Sequence, residues 1–580
     1  MGPFRPPGAL LIAVTILGGC RDTAPSTPPR PTAGAAGDPA PPRHAGREAL
    51  RFEDVTRRSG IEMVMTCGDQ PSTQILEVNG GGLALVDHDG DGDLDLFVAN
   101  GATLGDPQDG PGCRLYENLG GLRFRDVTEA SGIGIRRWAM GVAVGDFDGD
   151  GFDDLYVTCY GPNVLLRNTA ASGRPGFADV TEAAGVGDPG WGTSAAFGDL
   201  DGDGDLDLYT VNYLEFDLAD PPPRSRYKGI EVLAGPHGLT AQADVLYENL
   251  GDGTFRDVTE SSGCLAVKPG FGLGVAILDL DGDGKPEIFV GNDSMPNRLF
   301  RNRGGLTFED VGLHSGISSN SDGSNQATMG IAIGDVDGNT RPDVFTTNFS
   351  SDTNTLHLNL DGTFFDDRTM QFGLGMISRP YLGWACGLYD LDHDGDEDLL
   401  IFNGHVYPEA RPDTMDSDYE QPPLLFVRRG DRFTAVDDPA AGAFLGEPRR
   451  GRCAVFGDLD GDGDIDVIAG ELNGPIRVLR NDGAPGAWLI VELADERASS
   501  RNHRALGSRV EITYDGRTQR RWIFGGGDYQ SASAHYAHFG LGSAESRQLS
   551  VRIVWPDGFE QSLDNVAVRQ HLVVKRTREP

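Results

Sequence analysis

Basic charge is what this chain has least of. Its 49 Lys and Arg stand against 88 Asp and Glu, a formal net charge of -39 over 580 residues. That balance excludes a broad basic surface for nucleic acid or anionic lipid. Apolar residues are also few, at 38%, and apolar runs are short. The run from Ala9 to Leu17 falls well below the roughly 20 residues that a membrane-spanning helix needs. Catalytic signatures are missing as well, with no nucleophile elbow, zincin helix or phosphate loop. Glycine, by contrast, is plentiful at 82 residues, which suits many short strands joined by tight turns. The length fits one large repeat array plus a smaller module.

The N-terminus is set aside first. Arg5, the short apolar run and the Leu17-Gly18-Gly19-Cys20 ending of residues 1–20 resemble a lipoprotein signal with a lipobox, which implies a lipidated Cys20; an ordinary secretory signal is the alternative. Residues 21–47 are rich in Pro, Ala and Thr without apolar periodicity and read as a disordered tether. The protein is therefore expected to be exported as a cell-envelope lipoprotein, on the outer membrane or cell surface, or else secreted. It would meet the membrane only through the lipid on Cys20. Six cysteines remain, an even number for an oxidising setting. Cys67 and Cys113 flank the first acidic loop and could pair, whereas Cys386 and Cys453 sit in apolar runs and read as buried thiols.

Self-similarity dominates the rest of the chain. An acidic loop recurs seven times: DHDGDGDLD (87–95), DFDGDGFDD (146–154), DLDGDGDLD (199–207), DLDGDGKPE (279–287), DVDGNTRPD (335–343), DLDHDGDED (390–398) and DLDGDGDID (458–466). A small-and-apolar run such as MGVAVG precedes each loop, and a run such as LDLFVAN comes after it. Apolar residues fall near every second position, so both flanks read as strands. Segments like VLYENLG and then TFRDVTESSG complete each unit at four strands. Four antiparallel strands, repeated seven times, predict an all-β seven-bladed β-propeller over 48–483. The seventh loop lacks its final Phe-x-Asp-Val-Thr strand, while RFEDVTRRSG (51–60) precedes the first loop. The N-terminal strand is thus expected to complete the last blade and close the ring.

The spacing D-x-D-x-D/N-G-x-x-D accounts for the charge. Hard cations take six to eight oxygens, and carboxylates at positions one, three and five converge while Gly at six permits a sharp turn. The expected ligands are Asp87, Asp89, Asp91, Asp93 (through its carbonyl) and Asp95; Asp146, Asp148, Asp150 and Asp154; Asp199, Asp201, Asp203 and Asp207; Asp279, Asp281, Asp283 and Glu287; Asp335, Asp337, Asn339 and Asp343; Asp390, Asp392, Asp394 and Asp398; and Asp458, Asp460, Asp462 and Asp466. Up to seven Ca²⁺ are expected, the fifth site weakest because Asn339 replaces a carboxylate and Thr340 the glycine.

These units resemble the FG-GAP/VCBS repeats of integrin-type propellers. From Ala484 the pattern changes to a small all-β domain (484–580). There NHRALGSRVEI, GGGDYQSASAHYAHFGLG and VRIVWPDG resemble the ASPIC/UnbV domain of the cartilage acidic protein family. Arg504 stands where that family more often has an acidic or amide residue. His535 and His538 lie three apart in a strand and so face opposite ways, which argues for core or surface roles.

Two functions fit these features. The first is a calcium-binding scaffold or adhesion module for a protein or glycan ligand. Its contacts would come from the long connections 212–243 and 403–424, with Tyr213, Tyr227, His237, His405 and Tyr407 as candidates. The alternative is an extracytoplasmic polysaccharide hydrolase or lyase using the propeller channel, with carboxylates outside the loops.

Overall fold

The computed structural model describes residues 50–483, 486–497, 499–543 and 549–578. The signal-like segment 1–20 with Cys20 and the tether 21–47 lie outside them. Among the described residues, no helix is long and apolar enough to cross a membrane. The protein is all-β.

Seven antiparallel sheets take four strands each from the repeats. In sheet 1 these are Leu83–Val86, Asp95–Val98, Arg114–Asn118 and Phe124–Asp126. Sheets 2 to 6 repeat the order, starting at Ala139, Gly192, Gly272, Ile331 and Gly383. Sheet 7 takes three strands from Gly451–Gly457, Asp466–Glu471 and Ile476–Asn481, and its fourth from the N-terminal Phe52–Asp54. Phe52 pairs there with Asn481 and Asp54 with Leu479.

Local chemistry explains the units. The first strands are small-and-apolar because neighbouring sheets press on them: a Cβ on Gly141 would lie 2.3 Å from Thr193 O, and one on Gly330 2.2 Å from Trp384 O. Of the Phe-x-Asp-Val-Thr segments, only the first three residues are strand. The Asp then turns the chain, since Asp126 Oδ1 accepts from Thr128 N (2.9 Å) and Asp257 Oδ1 from Thr259 N (2.9 Å). The Thr hydroxyl reaches back to the third strand, accepting from Leu115 N and Leu246 N at 3.0 Å.

The C-terminal residues build a three-stranded sheet (Ala537–Gly542, Ala487–Asp495, Gln570–Arg576) and a four-stranded one (Arg517–Trp522, Arg509–Tyr514, Leu549–Val554, Glu560–Val566). Their apolar faces share one core with the repeats, in which Leu489, Leu493 and Trp555 join Phe147, Phe197 and Tyr247. The connecting segment runs between the first strands of the repeat sheets. Gly525 and Gly526 pair with Ile277 and Ala276 of sheet 4. Gln530 O accepts from Val142 N (3.1 Å), and Ala532 exchanges two 2.9 Å bonds with Leu83 and Leu85. Ser533 Oγ accepts from Phe456 N (3.0 Å). Tyr529 is fully buried, its ring 4.9 Å from Trp384. Glycine is required here by close approach: a Cβ on Gly525 would sit 1.9 Å from Phe197 O.

One expectation is corrected. The six cysteines of the described chain are all free and buried. Cys67 and Cys113 do not pair because they belong to different apolar clusters; the Cys67 thiol points instead at Leu76 O, 3.5 Å away. Burial pushes both thiols up to about 12, so they behave as core residues.

Candidate functional site

The acidic loops join the first and second strands, and all seven share one bonding scheme. The position-one carboxylate accepts from the backbone of the turn it begins. Asp87 takes Gly90 N (2.8 Å) and Gly92 N (3.1 Å), Asp146 takes Gly149 N (2.8 Å) and Gly151 N (2.9 Å), and Asp458 takes Gly461 N and Gly463 N (2.9 Å each). The position-five oxygen accepts from the N–H of position seven, so Asp91 binds Asp93 N (2.9 Å) and Asp203 binds Asp205 N (2.9 Å). Position nine closes the hairpin: Asp207 accepts from Leu200 N (3.0 Å) and from Asn249 N (2.9 Å) in the third strand. Asp154, Asp343 and Asp466 repeat this pair of bonds.

Carboxylate oxygens are thereby gathered. In loops one to four, groups such as Asp87, Asp89 and Asp91, or Asp146, Asp148 and Asp154, or Asp279, Asp281 and Glu287, place their ligand atoms within 4.8 Å of one another. Asp148 Oδ1 and Asp460 Oδ1 are buried and accept no hydrogen bond. Burial, reinforced by neighbouring carboxylates, pushes Asp146 up to about 8, Asp199 to about 7 and Asp458 to about 6. The clusters can hold a metal ion. Apart from His88, whose Nδ1 is bonded to Asp95 Oδ2 and joins Asp89 and Asp95 in a second group of loop one, the donors named are carboxylate oxygens. Two of them lack a partner, and a dication would remove the repulsion.

The fifth loop differs in geometry as well as charge. Thr340 has φ +69° where the other six loops carry glycine at φ +85° to +97°. Asn339 turns its amide onto Asp337 Oδ2 (3.1 Å) and Asn359 O (3.0 Å).

One set of residues escaped the sequence reading, the Asn ending each third strand. Asn168 Nδ2 donates to His88 O (3.1 Å), Asn249 to Phe147 O (2.8 Å), Asn302 to Leu200 O (2.7 Å), Asn359 to Leu280 O (2.8 Å) and Asn481 to Leu391 O (3.0 Å). Each bond ties a sheet to the acidic loop of the sheet before it, and Asn118 of sheet 1 donates to Leu459 O of loop seven (3.0 Å). The recurring Glu-Asn and Arg-Asn pairs were the available signal. Arg428 holds this place in sheet 6.

A second site lies beneath the insertions. Connection 212–243 folds a small hairpin, Ser225–Tyr227 with Ile230–Val232. It is pinned to connection 403–424 by Lys228 Nζ, which donates to Met415 O (2.8 Å) and Asp416 Oδ2 (3.0 Å), and by the Arg224–Glu409 ion pair. Under them is a cavity of about 230 Å³, whose walls include Asn79, Tyr213, Tyr227, His237, Asp293, Phe349, Asp352, Trp384 and Tyr407. Four of the five candidate contacts thus meet in one place. Tyr213, 2% exposed, donates its hydroxyl to Asp293 Oδ2 (2.6 Å) and holds that carboxylate in position. Burial raises the Asp293 carboxyl above the usual range. His237 is exposed. His405 is fully buried outside the lining, bonded to Ser350 Oγ (3.1 Å) and Tyr407 N (3.0 Å). Burial, aided by Arg452 and Lys228, lowers it to about 3, so the ring is neutral.

Arg452 anchors this floor. It is fully buried, lies over the Trp384 ring at 4.2 Å, and donates to Val78 O (2.7 Å), Gly404 O (3.1 Å) and His405 O (3.1 Å).

Comparison with known families matches the FG-GAP-like repeat at residues 87–157, 146–210, 230–290 and 279–346. The ASPIC and UnbV family matches residues 498–580. Cartilage acidic protein 1 of Homo sapiens is 28% identical over 511 residues, covering 82% of this chain and 69% of that protein; the Mus musculus protein is 27% identical over 513 residues, covering 82% and 70%. The chain carries FG-GAP repeats and a C-terminal ASPIC/UnbV domain, and is a distant homologue of cartilage acidic protein 1. Among solved structures, an Agrocybe aegerita lectin that recognises non-reducing terminal N-acetylglucosamine gives a TM-score of 0.35 at 15% identity, over 69% of this chain and 94% of its own. YCF48 bound to D1 peptide gives 0.37 at 10% identity, over 72% and 99%.

In this ASPIC/UnbV domain, His535 lies in a bend before the strand Ala537–Gly542, so the expectation that it and His538 share a strand and face opposite ways is corrected. Both line a separate small cavity, and His538 Nε2 meets Gly463 O at 3.0 Å. Arg504 forms an ion pair with the buried Asp153 of loop two (3.0 Å) and with Glu492 (2.6 Å).

Proposed function

We propose that the protein is a calcium-loaded seven-bladed β-propeller, displayed on the cell envelope through a lipid on Cys20, that binds a protein or glycan ligand at the cavity beneath its insertions. Closure of the ring is supported by Phe52–Asp54 completing sheet 7 and by the Asn118 bond to Leu459. Calcium is supported by donor chemistry, since clusters made chiefly of carboxylate oxygens suit a hard cation better than softer metals. The observation that carries the reading is the repetition of one carboxylate bonding scheme in seven loops, beyond what solvated acidic turns require.

A cation bound only by the folded chain adds stability as RT ln(1+[L]/Kd) at each site. Chelation is therefore expected to lower Tm markedly and added Ca²⁺ to restore it, with metal analysis of the purified protein giving several equivalents. An unchanged melting curve with no metal bound would refute the cation assignment. The rival reading, an enzyme working through the centre of the ring, has less support, because residues 525–533 fill the space between the first strands.

A further inference from the structure

Resting on the binding-module reading, we infer that the cavity beneath the insertions receives one sugar residue of an uncharged glycan. Its size comes first. About 230 Å³ lies below the roughly 300–1,000 Å³ of pockets for drug-sized ligands, which matches a ligand group of about one ring.

The walls then narrow the class. Tyr227, Phe349 and Tyr407 stand with ring centroids 5.5, 5.8 and 6.1 Å apart. The rings meet edge to face in two pairs and tilted in the third, Tyr227–Tyr407. The Lys228 ammonium already stands 5.6 Å from the Tyr227 ring, so a second cation there would face like charge. The three rings form one apolar wall, suited to the C–H face of a pyranose, rather than a cage for a cation.

Polar groups with complementary needs complete the lining. Asp293 already accepts from Tyr213 and from Ser294 Oγ (2.8 Å), one bond on each oxygen, and each oxygen keeps a free lone pair. Asn79 is 3% exposed and its Nδ2 has no hydrogen-bond partner, although it sits in the cavity wall. A buried donor of that kind needs an acceptor. Hydroxyls both donate and accept, so one polyol can satisfy Asp293 and Asn79 together, which an ammonium cannot. No Lys or Arg lines the cavity, while Asp293 and Asp352 do. Uronic, sialic and sulfated sugars would therefore meet two carboxylates in the lining, while the cations against its aromatic wall, Lys228 and Arg452, are already committed to Asp416 and to backbone carbonyls.

The test uses the calcium-loaded chain in titration calorimetry against neutral monosaccharides and oligosaccharides, with parallel arms of uronates and of amines and basic peptides. Hydrogen exchange is followed at residues 325–329 and 403–410. The expected result is binding of a neutral sugar, with exchange slowed at both segments and affinity reduced about tenfold or more by Asn79→Ala and by Tyr227→Ala. The variants' melting temperatures and cation content report on folding, and wild-type exchange locates the ligand without any variant. Exclusive binding of uronates, amines or basic peptides would overturn the sugar assignment and leave the binding-module reading standing. Sugar binding with protection elsewhere and unchanged affinity in Asn79→Ala would also overturn it. Silence in every arm, with cations bound, would overturn the sugar assignment and leave the binding-module reading only its protein ligand.

Discussion

At the residue scale, Thr340 shows how a single side chain sets the quality of a repeat. Left-handed backbone costs a β-branched residue about 1–2 kcal/mol, and Thr340 adopts φ +69° where its six counterparts are glycine. Thr340→Gly is expected to raise stability by about 1 kcal/mol, part of the relief being offset by the freedom glycine adds to the unfolded chain. It should also strengthen cation binding in loop five. Urea denaturation with and without Ca²⁺ checks both. The departure of this loop from the common geometry was legible, because the replaced glycine and carboxylate lie in one nine-residue motif. The Asn bonds between sheets were not, because each partner carbonyl belongs to another repeat, as far from Asn118 as Leu459.

The element that matters most is the acidic hairpin, and its energetics depend on pH in a direction opposite to the usual carboxylate. With cations removed, burial first and neighbouring aspartates next hold Asp146, Asp207 and Asp343 up to about 8. The same groups titrate at about 3.9 in an unfolded chain. Between about pH 4 and 8 the folded state therefore binds more protons than the unfolded one, and stability falls as pH rises. Chelated protein should melt at a higher temperature at pH 5 than at pH 8. Saturating Ca²⁺ should narrow or invert that difference, since cation and proton compete for the same oxygens. Melting curves at both pH values, with and without chelator, test the sign. Strand placement around the hairpins followed from alternation of apolar residues. The helical turn after Asp179 or Asp257 did not, because Asp and Thr act there through backbone bonds that leave no apolar period.

On the scale of the whole molecule, the repeats and the C-terminal residues form one body. The sequence break near Ala484 marks a change of pattern, yet the apolar core runs across it. Two acidic residues at position eight of their loops are answered by arginines from beyond that break: Asp153 by Arg504 at 3.0 Å, and Glu397 by Arg521 at 3.2 Å. Arg504 looked like a minor departure from its family's pattern because its partner lies 351 residues away. Removing it leaves a buried carboxylate uncompensated, so Arg504→Ala is expected to cost about 3–5 kcal/mol. The double substitution Arg504→Leu with Asp153→Leu should recover most of that loss. Chemical denaturation of the two variants decides whether the pair acts as a unit.

The glycine-lined segment from Gly525 to Gly527 carries a consequence for assembly. Its backbone lies against Phe197 and Val275 more closely than any side chain would allow, and residues 52–54 wait on a strand that ends at Asn481. Early hairpins can form as they emerge, but the hub between them is supplied by some of the last residues to be synthesised. Maturation is thus tied to completion of the polypeptide, and a chain interrupted before its final tenth would lack the backbone that packs against Phe197 and Val275.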